Sequence, residues 1–316
     1  MRKRDVTQAL LVWAVLAGGA SAAAGVEVRP DPDRNRIEIN VDGRPFTAYC
    51  YGPEFAWKPV LYPVLSPGGK MLNRELTFVR PDHPETKDHP HHQALFIGYG
   101  DVAGHDFWSH AHGERIVHRA VVRAGATGDV GELEIRADWV TEDGQRIVEE
   151  HRRMRFGGGA GVRWIDLEVW LLPAGSAPVD FNDTKEGFVA FRLADALREE
   201  GGAGRYRNAY GREREAQVWG RRAPWVALTG EIQGETVTIV FFEYPDSERH
   251  PSYWHARGYG LFSVNPLGRK DFVAGAPPIS RRLQPGEALH LHHRFAVYSG
   301  ALTNEQLDEE YQKLVR

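Results

Sequence analysis

The sequence predicts an all-β protein, a large antiparallel β-sandwich with a short helix near its C-terminal end. Apolar residues occupy every second position in many segments, as in 132–139, which is typical of half-buried strands. Turn-forming pairs such as Asp42-Gly43 and Pro285-Gly286 separate these segments. Helical spacing is rare, so strands at these intervals favour a sandwich or a barrel.

The segments with strand character are 37–41, 46–51, 94–99, 115–122, 132–139, 147–156, 162–171, 187–193, 225–228, 236–244, 260–264 and 288–298. One clear helix follows them. Thr303 and Gln306 form a capping box, and Leu307, Tyr311 and Leu314 then share one apolar face. Residues 195–200 predict a second, short helix.

Residues 1–22 have the organisation of a secretory signal peptide. A positive start, Met1-Arg2-Lys3-Arg4, precedes an apolar run and the small-residue cleavage site Ala20-Ser21-Ala22. The apolar run is shorter than a comfortable membrane span, and a retained anchor is the alternative. We expect cleavage to leave one β-sandwich domain over 23–316, periplasmic or secreted in a bacterium.

Composition excludes several classes of function. The net charge is −4 and no basic block follows the leader, so nothing indicates a nucleic-acid partner. The mean hydropathy is −0.45, and we expect no stable membrane span after signal cleavage. Cys50 is the only cysteine, so an internal disulfide is impossible, which fits a bacterial periplasm. Its neighbours Tyr49 and Tyr51 favour a packed thiol over a nucleophile.

The densest cluster of reactive side chains is Asp88-His89-Pro90-His91-His92. Imidazoles titrate near neutral pH and ligate metals, so the cluster can carry proton transfer or a divalent metal ion. The metal candidates are His89, His91 and His92, with weak or conditional binding expected. The alternative is a polar loop whose histidines hydrogen-bond to the backbone.

Three further segments gather polar and aromatic residues. Residues 182–187 offer an acid, a base and a cation to one ligand, or pair internally as a turn. Residues 249–257 combine aromatic, cationic and imidazole groups that suit a sugar ring, or anchor the edge of the sandwich. In the last strand, His290 and His292 share one face and His293 takes the other, which a solvent-exposed polar face explains.

Taken in order, these motifs resemble the PmoA-like family over residues 40–300. The matching motifs are Lys58-Pro59, Leu61-Tyr62-Pro63, Asp88-His89-Pro90-His91-His92, Asp106-Phe107-Trp108, Asp183-Thr184-Lys185-Glu186-Gly187, Arg249-His250-Pro251, Trp254-His255 and Asn265-Pro266. The chain departs from the pattern at Gln93, where an arginine is expected. The family name refers to a methane oxygenase subunit, which is a membrane protein, and the low hydropathy argues against that activity.

What the resemblance implies is carbohydrate metabolism and a galactose mutarotase-like sandwich. In such sandwiches the ligand lies on the concave face of a sheet, among histidine, glutamate, arginine and aromatic side chains.

The favoured function is an acid–base enzyme, a lyase or hydrolase acting on a glycoside or keto-glycoside. A keto group acidifies the neighbouring C–H, so a neutral imidazole can remove that proton and an acid can protonate the leaving oxygen. The catalytic candidates are His91, His92, Lys185, Glu186 and His255. The substrate-binding candidates are Lys58, Tyr62, His89, Trp108, Asp183, His250, Trp254 and Asn265.

We expect these loops to meet in one cleft, since scattered polar loops are easiest to explain that way. Two alternatives stay open, a non-catalytic glycan-binding protein and a mutarotase-like epimerase. A metal-dependent oxygenase is the least favoured, because no recognisable chelating spacing is present.

Overall fold

A computed structural model describes residues 25–316, and the predicted signal peptide lies outside the described residues. Two eight-stranded antiparallel sheets account for most of the described chain. The first sheet contains, in spatial order, β1 (Val26–Asp31), β2 (Arg36–Val41), β3 (Arg44–Cys50), β4 (Val60–Leu61), β5 (Leu95–Tyr99), β11 (Gly187–Arg192), β16 (Leu261–Asn265) and β15 (Tyr253–Ala256).

The second sheet is built mainly from long hairpins. Its strands, in spatial order, are β12 (Arg205–Asn208), β13 (Trp225–Ile232), β14 (Glu235–Glu243), β18 (Leu289–Ser299), β9 (Val162–Pro173), β8 (Arg146–Gly159), β7 (Val130–Val140) and β6 (Arg115–Thr127). A small two-stranded sheet pairs β10 (Val179–Phe181) with β17 (Arg281–Leu283).

Helices are few and short among the described residues. They are α1 (Glu215–Val218), α2 (Arg269–Phe272) and α3 (Asn304–Leu314), with 3-10 turns at Pro32–Arg34 and Asp195–Leu197. The region predicted as a short helix, 195–200, is therefore only a 3-10 turn at its start. No helix of residues 25–316 is long and apolar enough to cross a membrane.

The main core lies between the two large sheets, since strands of both contribute to one buried apolar cluster. Ile97 and Val189 of the first sheet belong to it, as do Val169 and Phe295 of the second. Alternate residues of each strand point away from this core, so each sheet also has an outer face. The large antiparallel sandwich and the terminal helix confirm the predicted fold class.

Helix α3 begins as its sequence predicts. The side chain of Thr303 accepts from the backbone N–H of Gln306, and the side chain of Gln306 accepts from the backbone N–H of Thr303. Leu307 and Tyr311 are buried against Trp225 and other apolar residues on the outer face of the second sheet. The helix therefore covers part of that face.

Candidate functional site

The outer face of the first sheet carries a polar layer above a row of mostly small or apolar residues, which ends at His255. Six cross-strand neighbours form this row: Cys50, Val60, Phe96, Ala190, Ser263 and His255. Antiparallel partners point to the same side of a sheet, so His255 shares its face with Phe96. Gly98 lies on the same side, and a Cβ there would be 2.6 Å from the carbonyl oxygen of Phe107. The missing side chain is what allows the Trp108 loop to approach the sheet.

Two buried arginines hold the histidine segment against this face. The guanidinium of Arg74 donates to Asp88 Oδ1 at 2.9 Å, and that of Arg192 donates to the same oxygen at 2.6 Å. Arg74 also donates to the carbonyl oxygens of His89 and His92, at 3.0 and 3.2 Å. Both arginine side chains are almost fully buried. The carboxylate of Asp88 therefore compensates two buried positive charges and fixes the segment that follows it.

The rings of this segment stack in a series on the sheet. The His89 ring is parallel to the His92 ring at 5.0 Å and to the Tyr259 ring at 4.7 Å, measured between centroids. The Trp108 indole meets His92 edge-on at 5.4 Å. His89 Nδ1 lies 2.7 Å from Asp88 Oδ2. Packing on several sides leaves His92 buried, His91 half-buried and His89 exposed.

Burial keeps the imidazoles of His91 and His92 neutral. Loss of hydration, assisted by the positive charge of Lys58, lowers the pKa of His91 to about 4. Burial also lowers the pKa of His92 well below its usual 6.5. Both rings therefore carry a free nitrogen lone pair at neutral pH, which is the form that accepts a proton. An imidazole titration near neutrality, which the sequence alone predicts, does not apply to these two rings.

Lys58 is a buried amine without a carboxylate partner. Its Nζ donates to the carbonyl oxygen of Trp108 at 2.8 Å and lies 3.0 Å from His110 Nε2. The opposite ring nitrogen of His110 lies 2.7 Å from the carbonyl oxygen of Glu114. Burial lowers the pKa of Lys58 well below its usual value. Lys58 thus anchors the Trp108 loop, with its Nζ 4.4 Å above the Phe96 ring.

His255, Lys185 and Glu186 come together at the far side of the same face. His255 Nδ1 lies 3.1 Å from the carbonyl oxygen of Lys185, so this nitrogen carries the proton and Nε2 keeps its lone pair. Burial lowers the pKa of His255 to about 3. The Lys185 ammonium lies 3.1 Å from Glu186 Oε1, and both side chains are half-exposed. Glu186 and Lys185 are therefore accessible, whereas His255 lies beneath them.

Arg257 and three residues that the sequence analysis did not name, Tyr259, Arg192 and Trp219, connect these two groups. The Tyr259 ring has the guanidinium of Arg192 at 5.2 Å and that of Arg257 at 5.4 Å from its centroid. Arg257 also lies 5.8 Å from the Trp219 ring, whose centroid is 6.4 Å from that of His255. Arg257 is the last residue of the singled-out segment 249–257 and Tyr259 lies two positions beyond it, so the composition of that segment was a usable signal for both. Trp219 offered none, because only folding brings α1 to this face.

A pocket of about 600 Å³ opens at this end of the layer. Trp219 and Arg257 line it together with four acidic or cationic side chains of the neighbouring segments, Glu199, Glu200, Arg214 and Glu215. Arg257 is held by Glu215 at 2.5 Å. The pocket thus has one aromatic wall and a charged rim, beside the His255 group.

Several predicted binding residues are used inside the protein. Asp183 is buried and accepts from the backbone N–H groups of Lys270 and Ile279. The side chain of Asn265 donates to the carbonyl oxygen of Thr184 at 2.7 Å and is fully buried. Both residues therefore shape the 183–187 loop through these hydrogen bonds.

The Tyr62 hydroxyl lies on the first sheet's outer face, where it donates to the carboxylate of Glu75. Its ring packs against the small apolar cluster beneath the polar layer, and Cys50 belongs to the same cluster. Cys50 is buried, and burial raises the pKa of its thiol to about 12. The thiol is packed, as the sequence predicts.

The expectation that His250 and Trp254 share the cleft is wrong. Trp254 is fully buried in the main core, and its indole N–H donates to the carbonyl oxygen of Ala223. Alternation along β15 turns Trp254 inward and His255 outward. His250 lies beside Glu243 and the Tyr311 hydroxyl, at the end of the second sheet. The structure brings His91, His92, Lys185, Glu186 and His255 to one face, and leaves His250 and Trp254 out of it.

The rings of the three histidines proposed for a metal pack against one another. His89 and His92 lie ring over ring, with only 1° between their planes, and His91 is edge-on to both. Within residues 25–316, two sets of histidine and carboxylate side chains place their ligand atoms within 4.8 Å of one another, and neither contains His89, His91 or His92. Metal binding by these three residues stays a prediction.

The fold and this face define a class, an all-β sandwich whose first sheet carries an outer layer of buried imidazole, guanidinium and aromatic groups. The chain belongs to the family described as "Family of unknown function (DUF6807)", which matches residues 36–312. That description does not refer to methane oxidation, and the PmoA-like resemblance has no support in it. The sequence matches no curated protein.

Solved structures similar to this chain include carbohydrate-active proteins. The GH36 α-galactosidase AgaB from Geobacillus stearothermophilus is 12% identical, with a TM-score of 0.43 over 86% of this chain and 41% of that one. A galactose mutarotase related enzyme from Lactobacillus acidophilus is 8% identical, with a TM-score of 0.36 over 88% and 98%. The Slr1438 protein from Synechocystis sp. PCC 6803 is 11% identical, with a TM-score of 0.36 over 92% and 100%. The chain spans about two fifths of the α-galactosidase, and likeness at this level carries no argument about activity.

Proposed function

We propose that this protein binds a glycoside or keto-glycoside on the outer face of the first sheet and acts on it by acid–base chemistry. The sugar would lie over the accessible side chains that rim the polar layer and enter the pocket beside Trp219. The rim residues are His89, His91, Lys185, Glu186, Arg257 and Tyr259.

The observation that carries this proposal is a concentration of buried polar atoms without protein partners. Among the described residues, both ring nitrogens of His92, Nη1 of Arg192, Nε2 of His255 and the indole N–H groups of Trp108 and Trp219 lack a hydrogen-bond partner. A buried polar atom without a partner is costly, so each one needs water or a ligand. Sugar hydroxyls both donate and accept, which suits this mixture of donors and free lone pairs.

A pair of accessible groups supports catalysis over binding alone. We assign the proton-accepting role to His91, which is half-buried and neutral. In a keto-glycoside, His91 would take the proton from the carbon next to the carbonyl. The electron pair left behind then expels the glycosidic oxygen, which takes a proton from the carboxyl group of Glu186; this step requires that Glu186 has first taken up a proton from solvent. No oxidant or reductant is needed for this elimination.

The remaining residues position this pair. Lys185, 3.1 Å from Glu186, places a positive charge where the enolate oxygen would develop. His255 holds the backbone of Lys185 through its Nδ1, and His92 supports His91, with ring centroids 4.4 Å apart. We therefore treat His92 and His255 as positioning residues, and His91 and Glu186 as the proposed catalytic residues.

The test starts with a screen of glycosides and their keto derivatives, following aglycone release and loss of the keto absorbance. For an active substrate, Glu186→Gln and His91→Asn are each expected to lower kcat by about 10²- to 10⁴-fold with a modest change in binding. His151→Asn is the matched control, because His151 lies on the second sheet, paired with Glu149. It should leave kcat unchanged.

Two outcomes would contradict parts of the proposal. If sugars bind but none is turned over, the protein is a glycan-binding module and the acid–base roles are wrong. If no sugar binds, the ligand class itself is wrong.

We also propose export to the periplasm, because residues 1–22 have the organisation of a signal peptide. Expression of the full chain in a bacterium, followed by N-terminal sequencing of the periplasmic fraction, checks this. A mature chain beginning near Ala23 is expected, and an intact N-terminus in the cytoplasm would contradict it.

A further inference from the structure

A separate cluster of histidines and carboxylates lies on the outer face of the second sheet. His290 and His292 are on β18, and their cross-strand partners on β9 are Trp170 and Glu168. Asp246 lies in the loop that follows β14. Its chain runs beside β18, with the N–H of Tyr244 donating to His292 and that of Glu248 to His290. Three chain segments thus converge on one place.

The potential ligand atoms in this cluster are close together. His290 Nε2 lies 3.2 Å from Glu168 Oε1, and His292 Nδ1 lies 2.9 Å from Asp246 Oδ1. One nitrogen or oxygen from each of the four side chains lies within 4.8 Å of the other three. Atoms at such separations can surround a single ion after small side-chain movements, since metal–ligand bonds are about 2.0–2.2 Å long.

A second layer of contacts orients these side chains. His290 Nδ1 lies 3.1 Å from the carbonyl oxygen of Asp246 and donates there, so Nε2 is the ring nitrogen that faces Glu168 and the place of the ion. This is the arrangement that metal-binding histidines commonly show. The other oxygen of Glu168 accepts from Arg153. The His290 ring stacks on Trp170 and the His292 ring on Tyr244, which restricts both imidazoles.

A paired polar surface is the simpler explanation of a histidine beside a carboxylate. It accounts for each pair taken alone. It does not account for two pairs meeting at one point, with both rings stacked and the far nitrogen of His290 committed to a backbone carbonyl. The side chains of Glu168, His290 and His292 are also only 11%, 23% and 18% exposed, so they are largely removed from water.

We propose that Glu168, Asp246, His290 and His292 form a binding site for one divalent first-row transition metal ion, of which Zn²⁺ is the best match. Two imidazole nitrogens and two carboxylate oxygens suit Zn²⁺, whereas Mg²⁺ and Ca²⁺ prefer oxygen ligands alone. The site is on the opposite sheet from the proposed sugar site, so it is independent of that function. Asp246 is 59% exposed, which gives the ion a path from solvent.

The bound ion would fasten the loop after β14 to strands β9 and β18. Because the ligands come from distant parts of the chain, the unfolded protein would bind the ion less tightly. Zn²⁺ should therefore raise the midpoint of unfolding.

The experiment uses tag-free protein treated with a chelator and dialysed. Titration calorimetry with ZnCl₂ should show one Zn²⁺ per chain, and thermal unfolding should move to higher temperature when Zn²⁺ is added. His292→Asn and Asp246→Asn should each weaken Zn²⁺ binding by at least about 10-fold. Circular dichroism and the metal-free urea midpoint check that each variant is folded.

The control is His105→Asn, because His105, Glu114 and Glu142 form the other set whose ligand atoms meet the same spacing. It should leave Zn²⁺ binding unchanged. Co²⁺ provides a second measurement, since the position and intensity of its visible absorption report the coordination geometry of the bound ion. The double variant His290→Asn/His292→Asn should lose the spectrum of the bound ion.

The proposal is overturned if folded parent protein binds no Zn²⁺, or if the double variant binds it as tightly as the parent. The proposal is also overturned if His105→Asn abolishes Zn²⁺ binding while His292→Asn leaves it intact. That result would assign the ion to His105, Glu114 and Glu142.

Discussion

The outer faces of the two large sheets both carry histidines, but the histidines of the two faces have different partners. On the first sheet, His91, His92 and His255 are packed among aromatic rings and cations, without a carboxylate hydrogen-bonded to any of them. On the second, His290 and His292 each contact a carboxylate. The first arrangement offers donors and lone pairs to an uncharged polar ligand, and the second offers a ligand set for a cation. Residue type alone therefore does not define a histidine site; its partners do.

Carboxylates show the same contrast. Asp88 on the first sheet is 37% exposed and is the shared partner of two buried guanidiniums, whereas Asp246 on the second sheet is 59% exposed and contacts half-buried imidazoles. Removing the Asp88 carboxylate leaves the buried charges of Arg74 and Arg192 uncompensated. Removing the Asp246 carboxylate leaves imidazoles that water can reach. Four predictions test this comparison, beginning with the largest expected effect.

Acidification should destabilise the protein markedly, because the first sheet buries neutral imidazoles. The folded-state pKa values of His91 and His255, about 4 and about 3, lie below the 6.5 of an unfolded histidine. Between pH 6.5 and 4 the unfolded chain therefore binds more protons, so stability is lost as the pH falls. The urea midpoint should therefore be lower at pH 5.5 than at pH 7. Most carboxylates are ionised at both of these pH values, so the difference reports mainly on the histidines.

The His91→Asn variant should show a smaller drop between these two pH values than the parent does. His105→Asn is the control for the loss of a histidine elsewhere. Equal midpoints at pH 5.5 and pH 7 in the parent would contradict the assignment of neutral, buried imidazoles.

Asp88→Ala should be the most damaging single substitution on either face. It leaves Arg74 and Arg192 buried without their shared carboxylate, at a cost of about 3 kcal/mol of unfolding free energy. Asp246→Ala in metal-free protein should cost less than about 1 kcal/mol, because the carboxylate is exposed. Urea denaturation of both variants measures the difference, and similar losses would remove the distinction between the two faces.

Gly98→Ala tests how closely the Trp108 loop approaches the first sheet. The added Cβ would lie 2.6 Å from the carbonyl oxygen of Phe107, so we expect a loss of about 2 kcal/mol. Gly125→Ala, on β6 of the second sheet, meets nothing within 4 Å and should change stability by less than about 0.5 kcal/mol. Thermal or urea unfolding checks both, and a Gly98→Ala protein as stable as the parent would show that the loop can withdraw.

The smallest effect concerns the helix that covers part of the second sheet. Thr303→Ala removes the hydroxyl that accepts from Gln306 N–H and should cost about 1 kcal/mol. Thr303→Ser keeps the hydroxyl and should stay close to the parent. If the two variants unfold at the same urea concentration, the capping box does not stabilise α3.

Much of the fold could be predicted because alternation is a local property. A strand with one buried face repeats every second residue, so β7 and β18 are visible in the sequence without knowledge of their partners. The helix cap at Thr303 is equally local. Short strands such as β4 and β15 were missed, since two to four residues do not establish a period.

The candidate site was only half visible. Dense clusters such as Asp88–His92 stand out by composition. Of the four histidines predicted for the cleft, His91, His92 and His255 do lie on one face with Lys185 and Glu186, and His250 does not. Trp254 was assigned to the wrong environment because β15 was not recognised as a strand. Side chains alternate between the two faces along a strand, so Trp254 faces the core and the neighbouring His255 faces outward. Arg192 gave no signal, because an arginine at the end of an apolar strand has many possible partners until Asp88 is placed beside it.

The sequence by itself determined the strand periodicity, the terminal helix, the packed thiol of Cys50 and the residues rich enough in chemistry to form a site. Tertiary structure decided which of those residues meet. Sheet order places β5, β11, β16 and β15 side by side although they are distant along the chain, so His92 and His255 share a face. It also brings Asp246 to His290 and Glu168. Such juxtapositions depend on long-range strand pairing and on burial, and burial also sets the protonation of the imidazoles, which local sequence does not encode.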